Sequence, residues 1–188
     1  MTLANRLTLL RMALALIVFG CLMTDSNALH LAALGFFVAA VVTDWVDGYV
    51  ARSTNTVSAF GKVADPIADK VLILGALIAL LRIKALDIPP WGVFLILARD
   101  LVIGGIRVLL SSQGKIMAAD RWGKLKTGFQ CGSVLGMLVL LTVMERVQVP
   151  AWVLLLPYHL TVLCVVMTWF SAVMYLRQSF PTLEKTWG

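Results

Sequence analysis

Six apolar runs separated by short polar clusters follow one another along the chain, at about 8–23, 28–52, 57–81, 91–110, 127–144 and 150–176. Runs of this kind match the roughly 17–25 residues with which an α-helix crosses a bilayer. They are too long, and too rich in Leu and Ala, to read as strands. The pattern predicts an all-α polytopic membrane protein with six transmembrane helices, forming a single domain over residues 1–188. The second and third runs are longer than a crossing needs, so the ends that meet at the polar turn 53–56 are expected to project into the interfacial region. Pro89-Pro90 sets up the start of the fourth helix, and Pro157 is expected to bend the sixth.

The first run has some features of a signal peptide, with Arg6, an apolar stretch and then Ser26-Asn27-Ala28. Arg11 interrupts that stretch, however, and Asn5, Thr8 and Arg11 recur at three-residue spacing along one helix face. The run is therefore read as a retained helix. The distribution of Lys and Arg then sets the orientation. Connections after the first, third and fifth runs carry none, Arg82 with Lys84, and Arg146. The opposite side holds Arg6, Arg11, Arg52, Lys62, Lys115, Arg121, Lys124, Lys126, Arg177 and Lys185. Positive residues favour the cytoplasm, so both termini, the turn at 53–56 and the basic loop 111–126 are expected there.

Composition agrees with a membrane protein. Of the 188 residues, 60% are hydrophobic and only 14% charged. Soluble domains carry about 25% charged residues. The mean hydropathy is +0.91. A net charge of +6 suits membrane lipids with anionic headgroups and phosphorylated substrates. No basic helix with interleaved aromatics occurs, which argues against a nucleic-acid partner. Cys21, Cys131 and Cys164 lie singly in apolar runs and read as core residues. His30 and His159 have no partner at catalytic spacing and read as structural, and Trp152, Tyr158, Trp169 and Tyr175 read as interface anchors or packing.

The chemistry concentrates between Asp44 and Asp69. The stretch reads D-W-V-D-G-Y-V-A-R, eight further residues, then G-K-V-A-D-P-I-A-D. Asp44 and Asp47 are three apart on one helical face, with Gly48 and Ala51 continuing it. Gly61, Asp65 and Asp69 are spaced by four on another. If the chain reverses at the polar turn, Asp47 faces Asp65 and Asp44 faces Asp69, so four carboxylates meet at similar depth. Four such charges repel by several kcal/mol even at an effective dielectric of ~20. Protonation or bound cations must relieve this. An all-oxygen donor set suits Mg²⁺, Mn²⁺ or Ca²⁺, and two divalent ions would balance four carboxylates, an arrangement that typically serves displacement at phosphorus.

The pattern D-x2-D-G-x2-A-R-x8-G-x3-D-x3-D resembles the signature of the CDP-alcohol phosphotransferase family. All its fixed positions are filled: Asp44, Asp47, Gly48, Ala51, Arg52, Gly61, Asp65 and Asp69. The resemblance implies Mg²⁺ or Mn²⁺, as two ions, held by the four aspartates, with Asp69 also acting as general base. It implies that Gly48, Ala51, Arg52 and Gly61 contact the cytidine nucleotide, and that the protein is a homodimer. No Ser, Cys or His is poised beside a base, which disfavours a covalent intermediate.

A second set of residues is similar to the bacterial phosphatidylglycerophosphate synthase branch of that family. A-R-D-L-V-I-G-G-I-R-V and G-K-L-K-T-G-F-Q lie near its patterns A-R-E-x5-L-R and G-K-x-K-T, and Asn5, Thr8 and Arg11 match its amino-terminal N-x2-T-x2-R. Asp100 and Ile106 depart from the usual Glu and Leu. This resemblance implies a bacterial cytoplasmic membrane enzyme acting on CDP-diacylglycerol and sn-glycerol 3-phosphate, with Arg99, Arg107, Lys124 and Lys126 gripping the acceptor's phosphate. The alternatives are another acceptor (inositol phosphate, serine or phosphatidylglycerol), or a cation or proton transporter. A transporter's carboxylates would lie near the midplane. For Arg99 and Asp100 the competing reading is an internal ion pair that stabilises the bundle.

Overall fold

The computed structural model describes residues 3–54, 59–112 and 121–187, and side chains over 6–45, 67–110, 123 and 125–180. Seven α-helices occur among these residues: α1 (Leu3–Leu22), α2 (Asn27–Thr54), α3 (Ala59–Leu80), α4 (Pro90–Ser112), α5 (Arg121–Met144), the short α6 (Ala151–Leu154) and α7 (Leu156–Trp187). No strand is present among the described residues. Asn27–Trp45, Leu125–Met144 and Ala151–Phe180 are long and apolar enough to cross a membrane.

Two compact units divide the chain. One comprises Met1–Asp87 with Val134–Leu155, the other Ile88–Ser133 with Leu156–Gly188. In the first unit α1 packs on both α2 and α3. The buried positions of α1 are Thr8, Arg11, Ala15, Val18 and Leu22, alternating by three and four, as a helix seam between two neighbours requires. α2 answers with His30, Ala33, Phe37 and Ala40 at the same spacing. Small residues on that stripe let the backbones come close, the usual device where lipid removes the hydrophobic drive for helix pairing.

Three connections of the first unit gather at one end. The turn after α1 is closed by Thr24, whose hydroxyl donates to the Cys21 carbonyl, and the His30 N–H opens α2 by donating to the Ser26 carbonyl. The His30 ring lies between Glu145, just past α5, and the Thr24 carbonyl. Arg82, just past α3, reaches Asp25 at 2.6 Å. His30 is thus a buried structural residue, as its isolation in the sequence predicts.

In the second unit α4 packs along α7. Just before it, Asp87 holds the left-handed conformation, with φ 44°, after the 3-10 turn Lys84–Leu86. Asp tolerates that conformation better than most residues. Pro90 then occupies the first position of α4. A missing N–H costs nothing there. Two residues on, a Cβ at Gly92 would stand 2.7 Å from a methyl of Thr161. Only glycine permits this approach of the helices. Outward, α4 exposes Phe94, Leu101, Val102 and Val108. Such an apolar face suits lipid.

Two boundaries differ from expectation. The sequence assigns 121–126 to a polar loop, whereas α5 already begins at Arg121. Its basic residues are good helix formers, and a polar first turn is compatible with a helix emerging from an apolar layer. The sixth run is divided: α6 ends at Leu154, Leu155 turns, and α7 begins at Leu156 with Pro157 in its first turn. Proline is tolerated in a helix's first turn, where its missing N–H has no intrahelical partner to lose.

Candidate active site: an aspartate helix pair and a buried basic cluster

The helix α2 continues past the apolar span Asn27–Trp45 to Thr54, so Asp47, Gly48, Ala51 and Arg52 stand on a helical extension beyond it. Gly61, Asp65 and Asp69 stand on α3. Ser53 and Thr54, read as part of the turn, are still helical, and 55–58 lie outside the described residues. Side chains of Asp47, Gly48, Ala51, Arg52, Gly61 and Asp65 also lie outside them. Among the described residues no three acidic, imidazole or thiol groups converge as a metal site.

Two of the four aspartates are described. Asp69 is half-buried on α3. Asp44 is 56% exposed, and its Oδ1 accepts from Nη1 of Arg11 at 2.7 Å, while the Arg11 side chain is only 1% exposed. Burying a guanidinium is costly unless it is paired, so Asp44 is anchored by a cation delivered from α1. The described members remain an oxygen-only donor set, which fits a hard divalent ion.

The second unit holds the expected acceptor residues, and the structure separates them. Arg99 donates through Nε to the Thr168 carbonyl (3.0 Å), through Nη1 to Asp100 (2.9 Å) and through Nη2 to the Ser171 hydroxyl (2.9 Å). Lys126 donates to both oxygens of Asp100, at 2.6 and 2.8 Å. Gln130 supports the group through the Thr168 hydroxyl at 3.2 Å. All of these side chains are buried. The internal Arg99–Asp100 pair is present, and Lys126 joins it. The shorter Asp arm reaches both cations from α4, so the departure from Glu leaves the pairing intact.

Arg107 is different. It is exposed, and its guanidinium carbon lies 5.6 Å from the ring centroid of Tyr175. That placement is a cation–π contact. Ile106, the other departure, packs on the apolar cluster of Ile103, Ala172 and Tyr175, so the exchange for Leu keeps an apolar contact. Lys124 lies in the first turn of α5, with its side chain outside the described residues. Of the remaining singled-out residues, Cys164 donates to the Ser133 hydroxyl at 3.4 Å, and Cys21 and Cys131 are not in disulfides. His159 packs edge-on against Tyr158.

Thr168, Ser171 and Gln130 escaped the sequence reading. For Thr168 and Ser171 the signal is a stripe of polar residues in the apolar helix α7: Thr161, Cys164, Thr168, Ser171, Tyr175 and Ser179, spaced by three or four and all buried. Polar side chains on such a stripe point to a bundle interior rather than to lipid.

With signature aspartates on α2 and α3 and a buried basic cluster in the second unit, the chain belongs to the CDP-alcohol phosphatidyltransferase family, whose model matches residues 1–163. Three relatives share the name CDP-diacylglycerol–glycerol-3-phosphate 3-phosphatidyltransferase. The protein of Bacillus subtilis is 41% identical over 121 residues, which cover 64% of this chain and 62% of that protein. The Mycoplasma pneumoniae protein is 42% identical over 105 residues, covering 53% of this chain and 43% of its own length. The Pseudomonas fluorescens protein is 29% identical over 190 residues, covering 98% of this chain and 93% of its own length. The chain thus aligns with less than two thirds of the length of the first two.

Proposed function

We propose that this protein transfers a phosphatidyl group from CDP-diacylglycerol to sn-glycerol 3-phosphate, releasing CMP and forming phosphatidylglycerol phosphate. Membership of the family and the relatives' shared name support the reaction class. The observation that most directly supports a phosphorylated acceptor is the basic cluster. Arg99 and Lys126 gather on Asp100 in a buried place, and Arg107 stands exposed with no carboxylate of its own among the described residues. Basic side chains gathered on one helix pair attract an anion.

In this reading Gly48, Ala51, Arg52 and Gly61 hold the cytidine nucleotide. Asp44, Asp47, Asp65 and Asp69 would hold two Mg²⁺ or Mn²⁺ ions, which supply stabilisation for charge on the pyrophosphate oxygens. The acceptor hydroxyl attacks the phosphorus that bears the diacylglycerol, and Asp69 takes the hydroxyl proton. The phosphorus–oxygen bond to CMP breaks, and CMP leaves with the electron pair. Arg107 and Lys124 grip the acceptor's phosphate, converting a bimolecular encounter into an oriented one. Arg99 and Lys126, both engaged by Asp100, shape that grip from behind.

The same reading places six helices across the bacterial cytoplasmic membrane in a homodimer, with both termini and the aspartate turn cytoplasmic. It is supported by the convergence of the connections after α1, α3 and α5 at one end of the first unit, and by the lipid-suited outer face of α4. The test is an acceptor screen with purified protein, CDP-diacylglycerol and Mg²⁺, following CMP release. Release that depends on glycerol 3-phosphate is expected. Release that depends instead on serine or inositol phosphate would reassign the acceptor.

A further inference from the structure

Arg11 lies on the buried stripe of α1 with Thr8, Ala15, Val18 and Leu22, and α1 packs on both α2 and α3. A cation buried within a membrane-length helix is costly and calls for a reason. Stability is a weak one, because an apolar side chain would fill the same seam with no desolvation cost. What the guanidinium does is hold Asp44, whose Oδ1 accepts from Nη1. Asp44 stands near the end of the apolar span Asn27–Trp45, and more than half of its side chain is exposed. A carboxylate in such a place has several staggered rotamers open to it unless a partner selects one. Arg11 can make that selection, because a side chain packed in a close-fitting interior has little room to follow a moving partner.

We propose that Arg11 is a positioning residue for the divalent-cation site: by fixing the Asp44 carboxylate in one orientation, it raises the affinity of the aspartates for their metal. The inference rests on the proposed reading of the four aspartates as metal ligands. The exposure of Asp44 keeps the carboxylate open to an ion while Arg11 holds it from the bundle side. Hydrogen-bond partners behind a ligating carboxylate are typically worth about ten- to a hundredfold in metal affinity. The guanidinium charge acts in the opposite direction, since it repels a cation. A net gain can therefore come only from geometry, and the sign of the effect separates the two.

The experiment titrates the full-length protein with Mn²⁺ and follows the loss of the free-ion EPR signal, with no turnover involved. Arg11→Met is expected to weaken Mn²⁺ binding about tenfold or more, while the melting temperature without metal holds or rises. Arg11→Lys keeps the charge but lacks the rigid fork, so its affinity should fall between the two. In an Asp44→Asn background, Arg11→Met should change binding less than about twofold, because it acts only through that carboxylate. Unchanged or tighter Mn²⁺ binding in Arg11→Met overturns the proposal. So does an equal weakening in the Asp44→Asn background, which marks a general structural effect. If the wild-type protein binds no Mn²⁺, with or without CMP, the metal reading falls and takes this inference with it. Wild-type binding that is indifferent to Arg11→Met removes the inference alone.

Discussion

Arg11, midway along α1, donates to Asp44 on α2 at 2.7 Å, joining a buried cation to a half-exposed carboxylate of the family signature. The pair ties the amino-terminal helix to the aspartate motif. It also means that a change at Asp44 has two consequences, one for catalysis and one for stability.

Asp44→Asn removes the carboxylate to which buried Arg11 donates. Stability should fall by about 1–2 kcal/mol, less than the ~3–5 kcal/mol of a fully buried pair because Asp44 is partly in solvent. Adding Arg11→Met removes the buried cation as well and should recover the melting temperature while activity stays lost. Thermal unfolding and CMP release, measured on both variants, separate the two effects. A double variant as unstable as Asp44→Asn would remove the pair from the account.

Chelation should abolish turnover, and Mg²⁺ or Mn²⁺ should restore it, because hard cations prefer oxygen donors. Asp47→Asn and Asp65→Asn should each lower the rate by about two orders of magnitude or more, the scale for losing an electrostatic stabiliser of the transition state. Full activity in excess EDTA would contradict the metal-assisted mechanism.

Topology can be read from labelling. With cysteines absent elsewhere, Asn55→Cys should react only from the cytoplasmic side and Asn27→Cys only from the outside. Reaction of both from one face would overturn the six-span arrangement.

Asp100 and Arg107 should fail in different ways. Asp100→Asn removes the buried carboxylate that Arg99 and Lys126 both engage and should destabilise the protein by about 3 kcal/mol, whereas Asp100→Glu should be tolerated. Arg107→Gln and Lys124→Gln should leave the melting temperature alone and raise the acceptor's KM at least about tenfold, from the lost forked or charged contact. Unchanged acceptor kinetics in both would reopen the choice of acceptor.

The sequence by itself was enough for the all-helical architecture, the membrane class and the aspartate signature. Each is written in short-range periodicity: apolar runs of membrane length, and acids at three- and four-residue spacing that any helix turns onto one face. Helix ends were less legible, as 121–126 shows, because basic residues serve a loop and a helical first turn equally well. Tertiary structure alone decided which charges meet. Arg11 with Asp44, Arg99 with Thr168 and Ser171, and Lys126 with Asp100 join residues far apart in the chain, and local spacing carries no information about them. Asp100 shows why this matters. The resemblance groups Arg99 and Lys126 with Arg107 and Lys124 in one phosphate grip, with an internal Arg99–Asp100 pair as the competing reading, but a single buried carboxylate must be neutralised by the nearest cations. Packing of α4 on α7, with Asp100 drawing in Lys126 from α5, engages those two and leaves Arg107 on the ring of Tyr175.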